Sequence, residues 1–226
     1  MSNMSPFVPG SVRGVTDVEV GSDLDLQRID RQVIELFAWV SEGLAGATAT
    51  LLENDRESAE ALADRDTVVD ALYHAVEDLV IRRLADRSES DATVRFMLLL
   101  LRILPELERS GDLAEHIARA ASRGLASEMS PRCRGLVAQM GEIGTEMWSL
   151  VTDAYVERLP GYAERLDQKD DVIDELHVML TAELGTGSTS LPVAVELALI
   201  GRFYERLGDH AVNLARRVEQ FVAGGL

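Results

Sequence analysis

Glu108-Arg109-Ser110-Gly111-Asp112-Leu113-Ala114-Glu115-His116-Ile117-Ala118-Arg119 recurs later in the chain as Glu205-Arg206-Leu207-Gly208-Asp209-His210-Ala211-Val212-Asn213-Leu214-Ala215-Arg216. Glu, Arg, Gly, Asp, Ala, Ala and Arg hold the same places in both copies. Self-similarity at this distance marks a fold made by doubling one unit. Each copy sets a Glu and an Asp four residues apart, which on a helix puts two carboxylates one turn apart on the same face.

Working outward from the two copies, apolar residues keep helical rhythm almost everywhere. Ile29, Val33, Leu36, Val40, Leu44, Ala47 and Leu51 make a first amphipathic stripe, and Leu62, Val69, Leu72, Val76, Leu79 and Leu84 a second. Ser88, Glu89, Ser90 and Asp91 supply turn and cap chemistry. A third helix follows, through Val94, Met97, Leu101, Leu104 and the first copy, to about Arg123. The second half repeats the plan. Leu136 to Ala154 form a fourth helix, Leu159-Pro160-Gly161 interrupts it, and Val172, Ile173, Leu176 and Met179 lie on a fifth. After the Gly185 to Ser190 loop, a sixth helix opens with Ser190 as cap and Pro192 in its first turn, where a missing N–H does no harm. No strand pattern appears. The expectation is an all-α fold of six long helices in two tandem antiparallel three-helix bundles, residues 24–123 and 124–226. Residues 1–23, rich in Ser, Gly, Pro and Val, are expected to be a disordered leader.

Composition narrows the function. The 226 residues carry 39 acids against 22 bases, a formal charge of −17. That sign opposes binding to nucleic acid or an anionic membrane and favours cations and basic partners. The single cysteine, Cys133, cannot form an internal disulfide, which fits a reducing compartment. The longest apolar run, Phe96 to Leu101, is far short of the ~20 residues a membrane span needs. The expected location is the cytoplasm, with no direct membrane insertion. The Gly185 to Ser190 loop lacks the Gly-Lys-Ser/Thr ending of a phosphate-binding loop. No Ser-His-Asp or Cys-His constellation supports a nucleophilic enzyme.

Two further acidic pairs, Asp66 with Asp70 and Asp170 with Asp174, fall on the second and fifth helices. If the first hairpin turns about residue 89, Asp66 is level with Asp112 and Asp70 with Glu108. If the second turns between residues 189 and 190, Asp170 is level with Asp209 and Asp174 with Glu205. Each bundle then gathers four carboxylates at one level. These are either solvated acidic faces or cation sites. Their recurrence, and a Gly inside each copy at a cost of ~1 kcal/mol relative to Ala, favour the second. Oxygen donors suit hard ions such as Mg, Mn, Ca or ferric iron. His116 continues the first row by one turn and adds a nitrogen for iron or zinc; the matching Asn213 is a weaker ligand. His210, next to Asp209, is expected to face away from the acidic row.

At these residues the chain resembles the PhoU family of phosphate-signalling regulators. Glu-Arg-x-Gly-Asp-x-Ala-x-x-Ile/Leu-Ala in the third and sixth helices is similar to the family's repeated signature, and Asp-x-x-x-Asp in the second and fifth to its companion element. The resemblance implies a non-enzymatic cytoplasmic negative regulator of the phosphate-starvation response and phosphate uptake. It would link the ATPase of the phosphate ABC transporter to the sensor histidine kinase of the phosphate two-component system. It also implies metal clusters of Fe, Zn, Mn or Mg, held here by Asp66, Asp70, Glu108 and Asp112, then Asp170, Asp174, Glu205 and Asp209. Ser110 stands where the signature has an apolar residue, and Glu115-His116 where a closer copy would end in Asn. A homodimer is compatible with this expectation. An accessory subunit of a low-affinity phosphate or metal permease is the alternative. A carboxylate-bridged metal enzyme is disfavoured, because such folds place Glu-x-x-His pairs on two bundle helices and this chain lacks them.

Overall fold

A computed structural model describes residues 24–64, 66–85, 89–187 and 189–224, with the side chains of residues 66–68 left aside. The expected leader, residues 1–23, lies outside the described residues, as does the side chain of Asp66. Among the described residues the chain is all helical: α1 (Leu24–Glu53), α2 (Arg56–Ala63), α3 (Asp66–Ala85), α4 (Asp91–Ser122), a 3-10 turn (Leu125–Glu128), α5 (Pro131–Glu157), α6 (Tyr162–Leu184) and α7 (Leu191–Val222).

Six helices are expected and seven are found among these residues, because the second is broken into α2 and α3. The run Asp64-Arg65-Asp66-Thr67 offers nothing apolar to bury, and α2 ends with Asp64 as its C-cap. The break before α2 has its own signals. Asn54 takes a left-handed φ of 60°, which Asn tolerates better than most residues, and the Asp55 carboxylate accepts a bond from the Ser58 N–H at 3.1 Å. The remaining boundaries follow the expected chemistry. Ser90 and Ser130 cap α4 and α5 by accepting from the Thr93 and Cys133 N–H groups, each at 3.1 Å. Ser190 holds the cap position of α7 with extended backbone, but its side chain makes no capping bond. Arg158 and Gly161, both at positive φ, turn the chain between α5 and α6.

Every residue of the first stripe, from Ile29 to Leu51, is buried. The reason lies in the position of α1, which packs against α4 of its own repeat and α5 of the other. Phe37 meets Tyr155 with ring centroids 5.2 Å apart and Trp148 at 6.4 Å. The two repeats therefore share one continuous core, in which each fully buried Leu, Ile or Phe contributes about 1.5–3 kcal/mol. Gly141 on α5 allows this closeness. A Cβ there would lie under 3.0 Å from the Thr48 side chain, whose hydroxyl meets Tyr204 Oη at 2.7 Å. A second seam joins α4 to α7 in antiparallel register, from Phe96 against Phe221 to Arg123 against Glu196. The acidic rows of α4 and α7 are carried on this seam's two helices. Their hairpin partners α3 and α6 lie outside it, α3 against α4 and α6 against α7.

Candidate metal centre

In the second repeat α6 and α7 bring Asp170, Asp174, Glu205 and Asp209 within mutual electrostatic reach. Burial, then the charges of Asp209, Asp174, Asp167 and Glu205, push the Asp170 carboxyl up to about 7. Glu205 is raised by burial; Arg202 opposes the shift, while Asp209 and Asp174 add to it. Asp170 Oδ1 and Glu205 Oε2 are buried without a hydrogen-bond partner, although Glu205 Oε2 is ion-paired with Arg202. Gly208 makes room for this arrangement. A Cβ on it would lie under 3.0 Å from Asp170 Oδ1, so any side chain at 208 would force that carboxylate off the α7 backbone.

The first repeat places Asp70 on α3 opposite Glu108 and Asp112 on α4. Glu108 is raised by burial and then by Asp112 and Asp70, against the opposing charges of Arg109 and His74. Asp112 is raised by burial, Asp70 and Glu115, with His116 opposing. The glycine of this copy behaves differently. Among the described residues, a Cβ on Gly111 would meet only Val69, at an ordinary 3.9 Å. Gly111 instead lines a cavity of about 50 Å³ with Trp39, Gly43, Leu62, Val69 and Ala114.

Asp70, Glu108 and Asp112 thus neighbour one another, as do Asp170, Asp174, Glu205 and Asp209. Among the described residues, however, no three His, Cys, Asp or Glu side chains come close enough together to hold a metal ion. The donor chemistry still fits a hard cation best in the second repeat. There an all-oxygen set includes the buried, unbonded Asp170 Oδ1, a costly arrangement unless a cation or proton offsets it, beside a Glu205 carboxylate whose Oε2 is paired with Arg202. His116 is exposed, and its ring lies against Phe203 of α7 with centroids 5.4 Å apart. It therefore faces the α4–α7 seam.

His210 turns away from the acidic row, as expected, and lies buried against α4. Its Nδ1 is 2.9 Å from Ser110 Oγ, which also donates to the Glu106 carbonyl at 2.6 Å. A serine hydroxyl has one proton, so when that proton serves the carbonyl, His210 Nδ1–H must be the donor to Ser110. The Glu106 carboxylate lies 3.6 Å from His210 Nε2 and pairs with Arg109 and Arg217, each at 3.1 Å. Burial lowers the pKa of His210, and the Glu106 charge opposes that shift. The sequence marks Ser110 only as a polar residue in an apolar place; its meaning needs the register between α4 and α7.

The chain matches the PhoU domain twice, over residues 33–121 and 137–218. It is 34% identical over 199 residues to the phosphate-specific transport system accessory protein PhoU homolog 1 of Mycobacterium tuberculosis, spanning 85% of this chain and 88% of that one. The corresponding homolog 1 of Mycobacterium leprae is 32% identical over 201 residues, 83% of this chain and 89% of that one. Among solved structures, PhoU of Pseudomonas aeruginosa superposes with a TM-score of 0.81 at 25% identity, over 88% of this chain and 98% of that one. The phosphate transport system regulatory protein PhoU of Streptococcus pneumoniae gives 0.80 at 26% identity, over 90% and 98%. With both repeats matched and this identity across most of its length, the chain belongs to the PhoU family.

Proposed function

We propose that this protein is a cytoplasmic accessory regulator of phosphate-specific transport, which holds down the phosphate-starvation response and phosphate uptake when phosphate is ample. In this role it has no catalysis of its own. It connects the ATPase of the phosphate ABC transporter to the sensor histidine kinase of the phosphate two-component system. Family membership and the names of the relatives support the role. Among the described residues, no helix is long and apolar enough to cross a membrane, in keeping with partners that meet the protein in the aqueous phase.

The observation that carries the chemistry is the second acidic group. Asp170 Oδ1 is buried without a hydrogen bond, beside the charges of Asp174, Glu205 and Asp209, of which Glu205 is paired with Arg202. A hard cation such as Mn, Mg or ferric iron would be held by these four residues and would offset their repulsion. Asp70, Glu108 and Asp112, with Asp66 by its place on α3, would hold a second. His116, turned toward Phe203, would have to leave that ring to contribute.

The test is a phosphatase reporter in a strain lacking the gene, grown in ample phosphate. High reporter activity, returned to low by the wild-type gene, is expected. Low activity in the deletion strain, with no second copy of the gene present, would remove the regulatory role and bring forward the permease-accessory alternative.

A further inference from the structure

Near the start of α7 three large apolar side chains stand at four-residue steps: Leu191, Val195 and Leu199, exposed by 77%, 52% and 51%. That spacing aligns them as one ridge. The ridge runs into a groove of about 170 Å³ between α4 and α7. Ile200 and Phe203 line it on the α7 side, and His116, Arg119 and Arg123 on the α4 side. Arg202 and Arg206 are exposed on α7 within one turn of Phe203. In a chain of charge −17, bases gather around this groove.

Their holds differ. Arg119 pairs with Glu115 and Arg202 with Glu205, carboxylates that are themselves only 12% and 15% exposed. Arg123 pairs with Glu196 in the open, at 56% and 36% exposure; such a pair is worth at most about 1 kcal/mol, so an incoming carboxylate can replace Glu196 there.

We propose that the ridge and groove dock an acidic amphipathic helix of a partner protein. Its apolar face lies on Val195, Leu199 and Phe203, and its carboxylates meet Arg119, Arg123 and Arg206. Three observations select this occupant. A straight ridge at four-residue steps matches the anchor spacing of a helix laid in a groove. Three side chains are too few for the ~800 Å² per partner that a stable dimer of two copies needs at this face. Inorganic phosphate suits the site poorly, because Leu199, Ile200 and Phe203 line it and a small, strongly hydrated anion has nothing to gain from that apolar floor. The docking surface is independent of any cation at the acidic rows.

The test places a photo-reactive amino acid at Leu199 in the full-length chain in cells, with one at Val178 as control. Val178, at 69%, is more exposed than Leu199 but lies on α6, beside Glu175. The expected result is a crosslink from position 199 and not from 178, to a segment with acidic amphipathic helical sequence. Arg119→Glu with Arg123→Glu should weaken it at least about tenfold, and reversing two acids of the partner segment should restore it. Leu199→Glu provides a second variant, and circular dichroism checks that each folds. A crosslink to a second copy, to a basic segment or to lipid, no crosslink at all, or a crosslink indifferent to charge reversal would overturn the proposal.

Discussion

Ser110 Oγ and His210 Nδ1 lie 2.9 Å apart, buried between α4 and α7. Each is embedded in one of the two near-identical motifs, so the bond ties one repeat to the other behind the acidic rows. Removing one partner leaves the other buried and unsatisfied, which costs more than the net worth of the bond. Ser110→Ala should destabilise the protein by about 1–3 kcal/mol, read as a lower urea midpoint with an unchanged slope. Ser110→Ala with His210→Phe should cost less than the sum of the single changes. Strict additivity would show that the two residues are not coupled.

A comparable tie joins α1 to α5. Asp30 Oδ1 accepts from Tyr155 Oη at 2.8 Å and from the Arg158 guanidinium at 2.9 Å. Asp30→Ala strands a fully buried phenol and should cost about 1–3 kcal/mol. Tyr155→Phe removes only the donor, leaves Asp30 with Arg158, and should cost less. Equal losses by thermal or urea unfolding would contradict this ordering.

The two motif glycines should respond oppositely to alanine. Gly111→Ala places a methyl group at ordinary contact distance from Val69 and removes glycine's helix penalty, so stability should rise by up to about 1 kcal/mol. Gly208→Ala meets Asp170 Oδ1 inside 3.0 Å. The carboxylate must swing away, so the gain should be lost and cation affinity should fall. Equal effects of the two substitutions on melting temperature and cation binding would refute the distinction.

Stability should depend on pH through Asp170. Its carboxyl is raised from 3.8 to about 7 in the folded protein, so between those values the folded state holds the proton more tightly than the unfolded state. The stability tied to that proton is complete at the acidic end of the range and is lost as pH rises through about 7. The raised Glu108, Asp112 and Glu205 act in the same direction. Asp170→Asn should therefore raise the melting temperature more at pH 8 than at pH 5, and added Mn should shrink the difference for the wild type. A substitution effect that does not vary with pH would contradict the assignment.

Much of this was legible in the chain because helix spacing is rigid. Four-residue steps put Glu205 and Asp209 on one face, and centring the hairpin between residues 189 and 190 brought Asp170 level with Asp209. The charge of Asp209 is the largest acting on Asp170 in the structure. The division of the second helix was missed because Leu62 to Leu84 keeps apolar rhythm across the polar run at residues 64–67. What could not be read is how the repeats face each other. That register decides why Ser110 is polar, why His210 is buried, and why His116 rests on Phe203. Two glycines in one motif also look alike in sequence, yet only Gly208 has a carboxylate pressed against it among the described residues.

The most direct test of the cation account is calorimetric titration of Mn into the purified, metal-stripped protein, beside Asp170→Asn with Glu205→Gln. Saturable binding by the wild type, weakened at least about tenfold in the variant while circular dichroism and melting show it folded, is the predicted result. No saturable binding by the wild type, or equal binding by both, would mean that the second acidic row is not a cation site.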